Sequence, residues 1–204
     1  MDSELRQRAA ELIEAGRWLS ERGLVPATSG NLSARLADGR IAITVSGRHK
    51  GQLREEDILC ADAAGASLDQ RRPSAETLLH VQIYKRFADA RVVLHPHSLN
   101  ATVLSRLHAG PVYLEGYELA KAFPGIDTHE TGLTVPVFDN DQDLQRLARK
   151  VDRYMQSDPS VRGYLIRGHG FYTWGDSATA ALRHVEALDF MFACELKLYE
   201  VRKP

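Results

Sequence analysis

The segment Val92-Val93-Leu94-His95-Pro96-His97-Ser98 predicts both a buried strand and a metal site. Its leading apolar residues are typical of a strand in the interior of a sheet. Side chains at positions i and i+2 of an extended chain point to the same face. His95 and His97 can therefore direct two imidazoles at one point, which suits a divalent metal ion. The alternative for these residues alone is one packed and one exposed histidine.

A third candidate ligand lies far along the chain, after another apolar segment. Residues 161–166 are typical of a strand, and Arg167-Gly168-His169-Gly170 follows it directly. The two glycines allow the backbone to approach a neighbour closely. Three neutral imidazoles with one open position are typical of a catalytic zinc site. We therefore predict His95, His97 and His169 as zinc ligands.

The five remaining histidines are weaker candidates for a metal site. His80 lies within a predicted helix, and we expect it to be a surface or packing residue. Polar loops, a turn and the last helix carry the other four, which are His49, His108, His129 and His184.

Length and composition indicate a globular domain. The 204 residues are enough for one sizeable core, so we expect a single domain spanning 1–204. The chain is 44% hydrophobic and 26% charged with a net charge of −1, which gives no indication of nucleic acid or a membrane surface as a partner. We expect a cytoplasmic protein, because no apolar run approaches the roughly 20 residues of a membrane helix and the N-terminus is unlike a signal peptide. Cys60 and Cys194 are expected to be reduced thiols.

The periodicity of apolar residues predicts helices mixed with strands. Helices are predicted at 4–22, from Ser74 as N-cap to Phe87, and at 100–107, 141–155 and 177–201. Strands are predicted at 39–45, 53–60, 92–95, 112–114, 135–138, 161–166 and 171–175. Because the order is not a strict βαβ alternation, we expect an α/β fold with a mixed or antiparallel sheet and helices on its faces.

Two short loops are candidates for an anion site. The segments Ala27-Thr28-Ser29-Gly30-Asn31 and Ser46-Gly47-Arg48-His49-Lys50-Gly51 are rich in small and hydroxyl-bearing residues. Backbone N–H groups in such loops can surround an anion. The alternative is two ordinary turns.

Metal-assisted proton chemistry also needs an acid or base, and two glutamates are candidates. Glu76 lies in the first turn of a predicted helix, and Glu118 lies in a short helix or turn after the paired histidines. The alternative for Glu76 is a charge that stabilises the helix N-terminus. The alternative for Glu118 is an ordinary exposed helix charge.

The order of these motifs resembles the class II aldolase/adducin family over residues 28 to about 175. The motifs are Gly30-Asn31-Leu32-Ser33-Ala34-Arg35, Ser46-Gly47, Pro73-Ser74-Ala75-Glu76, His95-Pro96-His97 and Gly168-His169-Gly170. The resemblance implies a three-layer α/β/α domain with a central mixed, largely antiparallel sheet, assembled as a homotetramer. It implies one zinc ion per subunit on His95, His97 and His169, with Glu76 as a nearby acid/base. It also implies that the substrate's phosphate is bound by Ser29, Gly30, Asn31, Ser46, Gly47 and Ser74.

Two further segments are similar to the dehydratases of that family. These are Gly116-Tyr117-Glu118-Leu119-Ala120-Lys121-Ala122 and Gly170-Phe171-Tyr172-Thr173-Trp174-Gly175. The similarity implies that Glu118 is the main catalytic acid/base, with Glu76 as a second candidate. The implied reaction is zinc-dependent dehydration of 5-methylthioribulose 1-phosphate to 2,3-diketo-5-methylthiopentyl 1-phosphate, a step of methionine salvage.

Two other functions stay open from the sequence. One is an aldolase that cleaves another ketose 1-phosphate, because both reactions use the same metal-stabilised enediolate and the aldolase differs in breaking a carbon–carbon bond. The other is a non-catalytic, adducin-like interaction module. That module would be expected to lack a metal site, and the three retained histidines speak against it.

Overall fold

The computed structural model describes residues 2–202. Five helices carry the labels α1 (Ser3–Glu21), α2 (Thr77–Arg86), α3 (Leu99–Leu107), α4 (Leu144–Ser157) and α5 (Ala178–Arg202) within those residues. Nine strands in the same range are β1 (Asn31–Arg35), β2 (Ile41–Thr44), β3 (Ile58–Ala61), β4 (Val92–His95), β5 (Val112–Leu114), β6 (Leu133–Val135), β7 (Val137–Phe138), β8 (Gly163–Ile166) and β9 (Gly170–Gly175).

A seven-stranded sheet forms the centre of the fold, in the order β3-β2-β1-β4-β9-β8-β7. Only β7 and β8 pair in parallel, and the other neighbours in this sheet are antiparallel. The prediction of a mixed, largely antiparallel sheet is therefore confirmed. The strand β4 lies between β1 and β9, so the segment that carries the paired histidines occupies the middle of the sheet.

Helices cover both faces of this sheet. Successive residues of β4 face different cores: Leu94 packs in a core that includes α1, α3 and α5, whereas Val93 packs in one that includes α2 and α4. This alternation follows from the two-residue repeat of an extended strand. The arrangement confirms the predicted three-layer α/β/α architecture.

The predicted strand at 135–138 is wrong as a single element. Pro136 separates β6 from β7, because a proline has no N–H to donate to a ladder. The two short strands then join different sheets: β6 pairs with β5 in a separate two-stranded sheet, and β7 lies at the edge of the main one.

The predicted start of α2 at Ser74 is also wrong, since the helix begins at Thr77. The Thr77 N–H donates to the Ser74 carbonyl oxygen at 3.2 Å, which closes a tight turn before the helix. Within that turn the Ser74 hydroxyl oxygen accepts from the Glu76 N–H at 3.3 Å. Ser74 and Glu76 consequently lie in the turn that leads into the helix, where both line the cavity described below.

The state of the cysteines and the character of the helices were also expected from the sequence. Cys60 and Cys194 are both free thiols, as expected. No helix in this range combines the length and the apolar character that crossing a membrane requires.

Candidate active site

Three histidines and one glutamate converge at the end of β4. The Nε2 atom of His95 lies 2.9 Å from that of His97 and 3.4 Å from that of His169. Glu76 approaches the same point, with Oε2 at 3.3 Å from His95 Nε2 and Oε1 at 3.7 Å from His169 Nε2. One ligand atom from each of the four residues lies within 4.8 Å of all the others. The sequence-predicted ligand triad is thus brought together, with Glu76 beside it.

Two close backbone contacts hold this cluster in place. The His97 N–H donates to the Leu24 carbonyl oxygen at 2.8 Å, and the Phe171 N–H donates to the Pro96 carbonyl oxygen at 3.1 Å. A Cβ atom added at Gly170 would lie 2.3 Å from that Pro96 oxygen. Only a glycine therefore lets the turn that carries His169 lie against the end of β4.

The protonation of the histidines suits metal binding. His95 Nδ1 lies 2.8 Å from the Phe171 carbonyl oxygen and donates to it, which leaves Nε2 with a free lone pair. Burial, together with the nearby His95 and His169, lowers the pKa of His97 to about 3. Burial also lowers the pKa of His169. The neutral form that a metal ligand needs is thus favoured for His97 and His169.

The spacing of the nitrogen atoms fits a small divalent ion. Zinc–nitrogen bonds of about 2.0–2.1 Å in a tetrahedron place two ligand nitrogens roughly 3.4 Å apart. The observed Nε2 separations of 2.9 and 3.4 Å are close to this value. Zinc and several other transition metals bind to imidazole nitrogens combined with a carboxylate.

Glu76 is a partly buried carboxylate that stays ionised. Burial acts to raise its pKa, but His95, His169 and a hydrogen bond from Asn31 outweigh that effect, and the net pKa lies well below the usual range. The Asn31 Nδ2 atom donates to Glu76 Oε2 at 2.8 Å. Glu76 can therefore serve as a metal ligand or as a proton acceptor next to a metal.

A chain of buried polar side chains continues from Asn31 away from the cluster. His80 Nε2 is hydrogen-bonded to Asn31 Oδ1, and His80 Nδ1 lies 2.7 Å from the Ser33 hydroxyl oxygen. That hydroxyl lies 2.7 Å from the Tyr84 hydroxyl. Of the two expectations for His80, the surface position is excluded and the packing position is retained, since His80 is fully buried and is connected to Glu76 through Asn31. The contacts span 45 to 51 residues along the chain, so no local pattern could indicate them.

Glu76, His97 and His169 border a polar cavity of about 350 Å³, and the fully buried His95 lies next to them. Five of the six residues predicted to bind phosphate line it, namely Gly30, Asn31, Ser46, Gly47 and Ser74. The sixth, Ser29, directly precedes the cavity-lining Gly30 in the sequence. Its buried hydroxyl has no hydrogen-bond partner among residues 2–202. The Asn31 amide is already bonded to Glu76 and His80. The two loops and the metal-site residues thus share one cavity.

Within a single chain, Glu118 does not line this cavity. It begins a 3₁₀ helix at Glu118–Ala122, and its side chain is 71% exposed. One carboxylate oxygen lies 2.5 Å from the Lys121 ammonium, and the other lies 3.8 Å from His129 Nδ1. The Lys121 hydrogen bond lowers the pKa of Glu118. The chain by itself does not bring Glu118 to the histidines.

Sequence reasoning missed several residues of the cavity. Lys50 lines it and is almost completely buried, and Asn140, Asp141 and Gln142 line it from the segment before α4. The available signal for Lys50 was its position three residues after Gly47, in a loop that was itself a candidate. The segment before α4 has no such signal, because it reaches the cavity only through the tertiary fold.

Comparison with known proteins places this site in a family. The sequence profile described as Class II Aldolase and Adducin N-terminal domain matches residues 10–196. The chain belongs to the class II aldolase and adducin family. Its histidine cluster and the adjoining polar cavity lie within the matched residues.

Several relatives with similar sequences carry the same name. A protein from Methylococcus capsulatus named methylthioribulose-1-phosphate dehydratase is 62% identical over 202 residues, which is 99% of each chain. A protein of the same name from Pseudomonas paraeruginosa is 53% identical over 205 residues and the full length of both chains.

Solved structures of class II aldolases share the fold. One L-fuculose 1-phosphate aldolase superposes with a TM-score of 0.82 at 26% identity, over 100% of this chain and 90% of the other. The L-fuculose-1-phosphate aldolase of Thermus thermophilus gives a TM-score of 0.76 at 26% identity, over 96% and 98% of the two chains.

Proposed function

We propose that this protein dehydrates 5-methylthioribulose 1-phosphate to 2,3-diketo-5-methylthiopentyl 1-phosphate, a step of methionine salvage. The observation that carries the proposal is the cluster of three histidines and Glu76 beside a polar cavity that the two candidate anion loops also line. Relatives named for this reaction, 53% to 62% identical over almost the whole chain, support the choice of substrate.

The metal of this proposal is one zinc ion per subunit, held by His95, His97 and His169. Their Nε2 atoms are close together, and the His95 tautomer leaves a lone pair for a metal. The chemistry that zinc supplies when bound is Lewis acidity toward the C2 carbonyl oxygen, which makes the C3 proton more acidic. Three histidines leave a coordination position open for substrate.

The phosphate end of the substrate would lie among the two glycine-containing loops. Backbone N–H groups and hydroxyls there can donate to an anion. The cavity volume of about 350 Å³ is at the small end for a ligand site and is appropriate to a single sugar phosphate. The residues assigned to this end are Ser29, Gly30, Asn31, Ser46, Gly47 and Ser74.

Proton transfer is assigned mainly to Glu118. In this mechanism its carboxylate removes the C3 proton, and the resulting acid donates a proton to the C4 hydroxyl, which leaves as water. The enol that remains rearranges to the 2,3-diketone, so that the overall change is the loss of one water molecule. Glu76 is the second candidate for the C3 proton, since it is ionised and lies beside the proposed metal position.

The exposed position of Glu118 supports an active site that is completed by a neighbouring subunit. We assign each subunit one domain and the assembly four subunits. A stripe of exposed apolar side chains on α3 (Leu99, Val103 and Leu107) supports this assembly. This α3 stripe begins two residues after His97, so an interface there would lie beside the histidine cluster.

Turnover of the zinc-loaded protein on 5-methylthioribulose 1-phosphate tests the reaction directly. We expect a diketone product that disappears with a chelator and returns with zinc. Glu118→Gln should keep its zinc and its melting temperature and should lower the rate by about 10²–10⁴-fold, as expected for a lost acid/base. If zinc binds at one per chain but no product forms, the dehydratase assignment is wrong. If Glu118→Gln keeps the wild-type rate, the role passes to Glu76.

A complementation experiment tests where Glu118 acts. Mixed assemblies of Glu118→Gln and His97→Ala subunits contain some sites with one intact histidine cluster and one intact neighbouring Glu118. We expect these mixtures to regain part of the activity that both pure variants lack. Inactive mixtures, with subunit exchange verified by mass, would place Glu118 in the site of its own chain.

A second candidate function is cleavage of another ketose 1-phosphate. The structural similarity to L-fuculose 1-phosphate aldolases, at a TM-score of 0.82, favours testing it. The test is release of an aldehyde from L-fuculose 1-phosphate or ribulose 1-phosphate under the same conditions. A third possibility, an adducin-like binding module, would gain support only if a metal titration found no bound ion.

A further inference from the structure

We propose that Lys50 supplies the positive charge that binds the substrate's phosphate in this cavity. The inference rests on the proposed function and deepens it, because it names the group that would recognise a phosphomonoester at the anion end of the site.

Lys50 is a buried cation that borders the cavity. Its side chain is 2% exposed, and it lines the same space as Ser46, Gly47 and Ser74. A charged amine is rarely buried without a partner, because the loss of water around it is unfavourable. The buried positive charge of Lys50 therefore requires a group that compensates for the lost water.

The protein itself compensates Lys50 only in part. Its Nζ atom donates to the carbonyl oxygens of Thr28 and Arg48 at 3.0 and 2.6 Å, which connects the two candidate anion loops. An ammonium has three N–H donors, so one is left for a ligand in the cavity. Burial lowers the pKa of Lys50 to about 8, and no carboxylate of residues 2–202 forms an ion pair with it. A phosphate dianion would provide the missing negative charge.

Two arginines near the cavity are already paired with carboxylates. The Arg48 guanidinium lies 2.9 Å from an Asp57 oxygen, and Arg146 lies 2.5 Å from Asp141. Among the described residues that line the cavity, Lys50 is the only lysine or arginine. It is thus the cation that the cavity lining itself offers to a phosphate.

Binding of inorganic phosphate to the metal-loaded protein, measured by calorimetry, tests this proposal without depending on turnover. Lys50→Gln keeps hydrogen-bond donors for the two loop carbonyls but removes the charge, so it is the variant most expected to fold. Lys50→Met removes both donors and charge, and Lys50→Arg keeps the charge. Lys85→Met is the matched control, because Lys85 is exposed on α2 and its loss changes the net charge equally.

We expect Lys50→Gln and Lys50→Met to weaken phosphate binding roughly 10- to 100-fold, the usual effect of losing a hydrogen bond to a charged group. Lys50→Arg should recover part of the affinity, and Lys85→Met should match the wild type. The metal content and the melting temperature of Lys50→Gln should stay near wild-type values.

Three results would overturn the proposal. The first is wild-type phosphate affinity in a folded Lys50→Gln variant. The second is binding that survives Lys50→Gln but disappears with His97→Ala, which would place the anion on the metal. The third is a wild-type protein that does not bind phosphate at all. If phosphate binding depends on Lys50 but methylthioribulose 1-phosphate is not converted, the reaction assignment fails and the role of Lys50 stands.

Discussion

The polar chain from Tyr84 to Glu76 has one consistent direction of hydrogen bonds. Burial lowers the pKa of His80 to about 3, so the ring is neutral and has one donor and one acceptor nitrogen. Because Asn31 donates to Glu76 through Nδ2, its Oδ1 must accept from His80 Nε2. His80 Nδ1 then accepts from the Ser33 hydroxyl. This series of hydrogen bonds therefore keeps the Asn31 N–H group directed at the Glu76 carboxylate.

The buried His80 predicts a specific pH dependence of stability. The native ring stays neutral down to about pH 3, whereas the unfolded chain takes up a proton below the ordinary value of 6.5. Between these limits the unfolded state binds more protons, so the free energy of unfolding decreases as the pH falls, by up to ~1.4 kcal/mol per pH unit. His80→Gln should remove this contribution and flatten the curve between pH 6.5 and 3.

Urea unfolding at several pH values measures this effect. His129→Gln is the comparison variant, because His129 is an exposed histidine outside this buried set of hydrogen bonds. A curve for His80→Gln that stays parallel to that of the wild type between pH 6.5 and 3 would contradict a buried neutral ring.

The loss of a single ligand should show the metal site at the residue scale. His97→Ala removes one of the three converging nitrogens, and we expect bound zinc to fall well below one per chain and turnover to be abolished. Elemental analysis after dialysis measures the metal, with His108→Ala as a control outside the cluster. Full zinc occupancy in His97→Ala would rule out His97 as a ligand.

At the scale of elements, the site depends on how closely the turn between β8 and β9 packs against the end of β4. A Cβ atom at position 170 would lie 2.3 Å from the Pro96 carbonyl oxygen, 3.1 Å from His97 Cδ2 and 3.2 Å from His95 Cε1. A single methyl group at this position therefore meets both the backbone and two ligand rings.

Gly170→Ala should separate the histidines and weaken metal binding. Displaced groups around metal ligands typically lower affinity about 10–100-fold, and we expect a loss in that range. Overpacking should also lower the free energy of unfolding by about 1–3 kcal/mol. Competition with a chromophoric chelator measures the metal affinity. Gly110→Ala is the matched control, because a Cβ atom there has no neighbour within 4 Å, and equal affinities for the two variants would contradict the close packing.

At the scale of the whole molecule, the α3 stripe is an apolar surface that remains exposed when a single chain folds. Leu99 is 75% exposed, and Val103 and Leu107 follow at the four-residue spacing that places them on one helical face. Isolated apolar residues on a surface are common, but a contiguous apolar patch is typical of a protein interface.

Introducing a charge into the α3 stripe should break the assembly. We expect Val103→Glu to shift the protein from tetramer toward smaller species in analytical ultracentrifugation, because a buried unpaired charge is strongly unfavourable. Leu68→Glu, at another exposed apolar residue, should leave the mass unchanged. If neighbouring subunits complete the site, the dissociated variant should keep zinc yet lose turnover. A Val103→Glu protein with an unchanged mass would exclude this face as the interface.

Local patterns in the sequence were sufficient to locate most of the strands and the histidines that converge. The i, i+2 spacing of His95 and His97 places both rings on one side of an extended segment, whatever surrounds it. The glycines around His169 and the polar loops at 27–31 and 46–51 likewise marked the groups that converge. These features depend on neighbours within a few residues, so they are visible in the sequence itself.

Only the tertiary structure decided which polar groups pair and which lie apart. His80 has an ordinary helical position in the sequence, but folding buries it against Asn31 and Ser33, 49 and 47 residues away. Folding also buries the Lys50 ammonium in the cavity and leaves Glu118 exposed outside it. The physical reason is that burial and long-range pairing depend on where separate elements meet in the folded chain, and the local sequence around a residue does not contain that information.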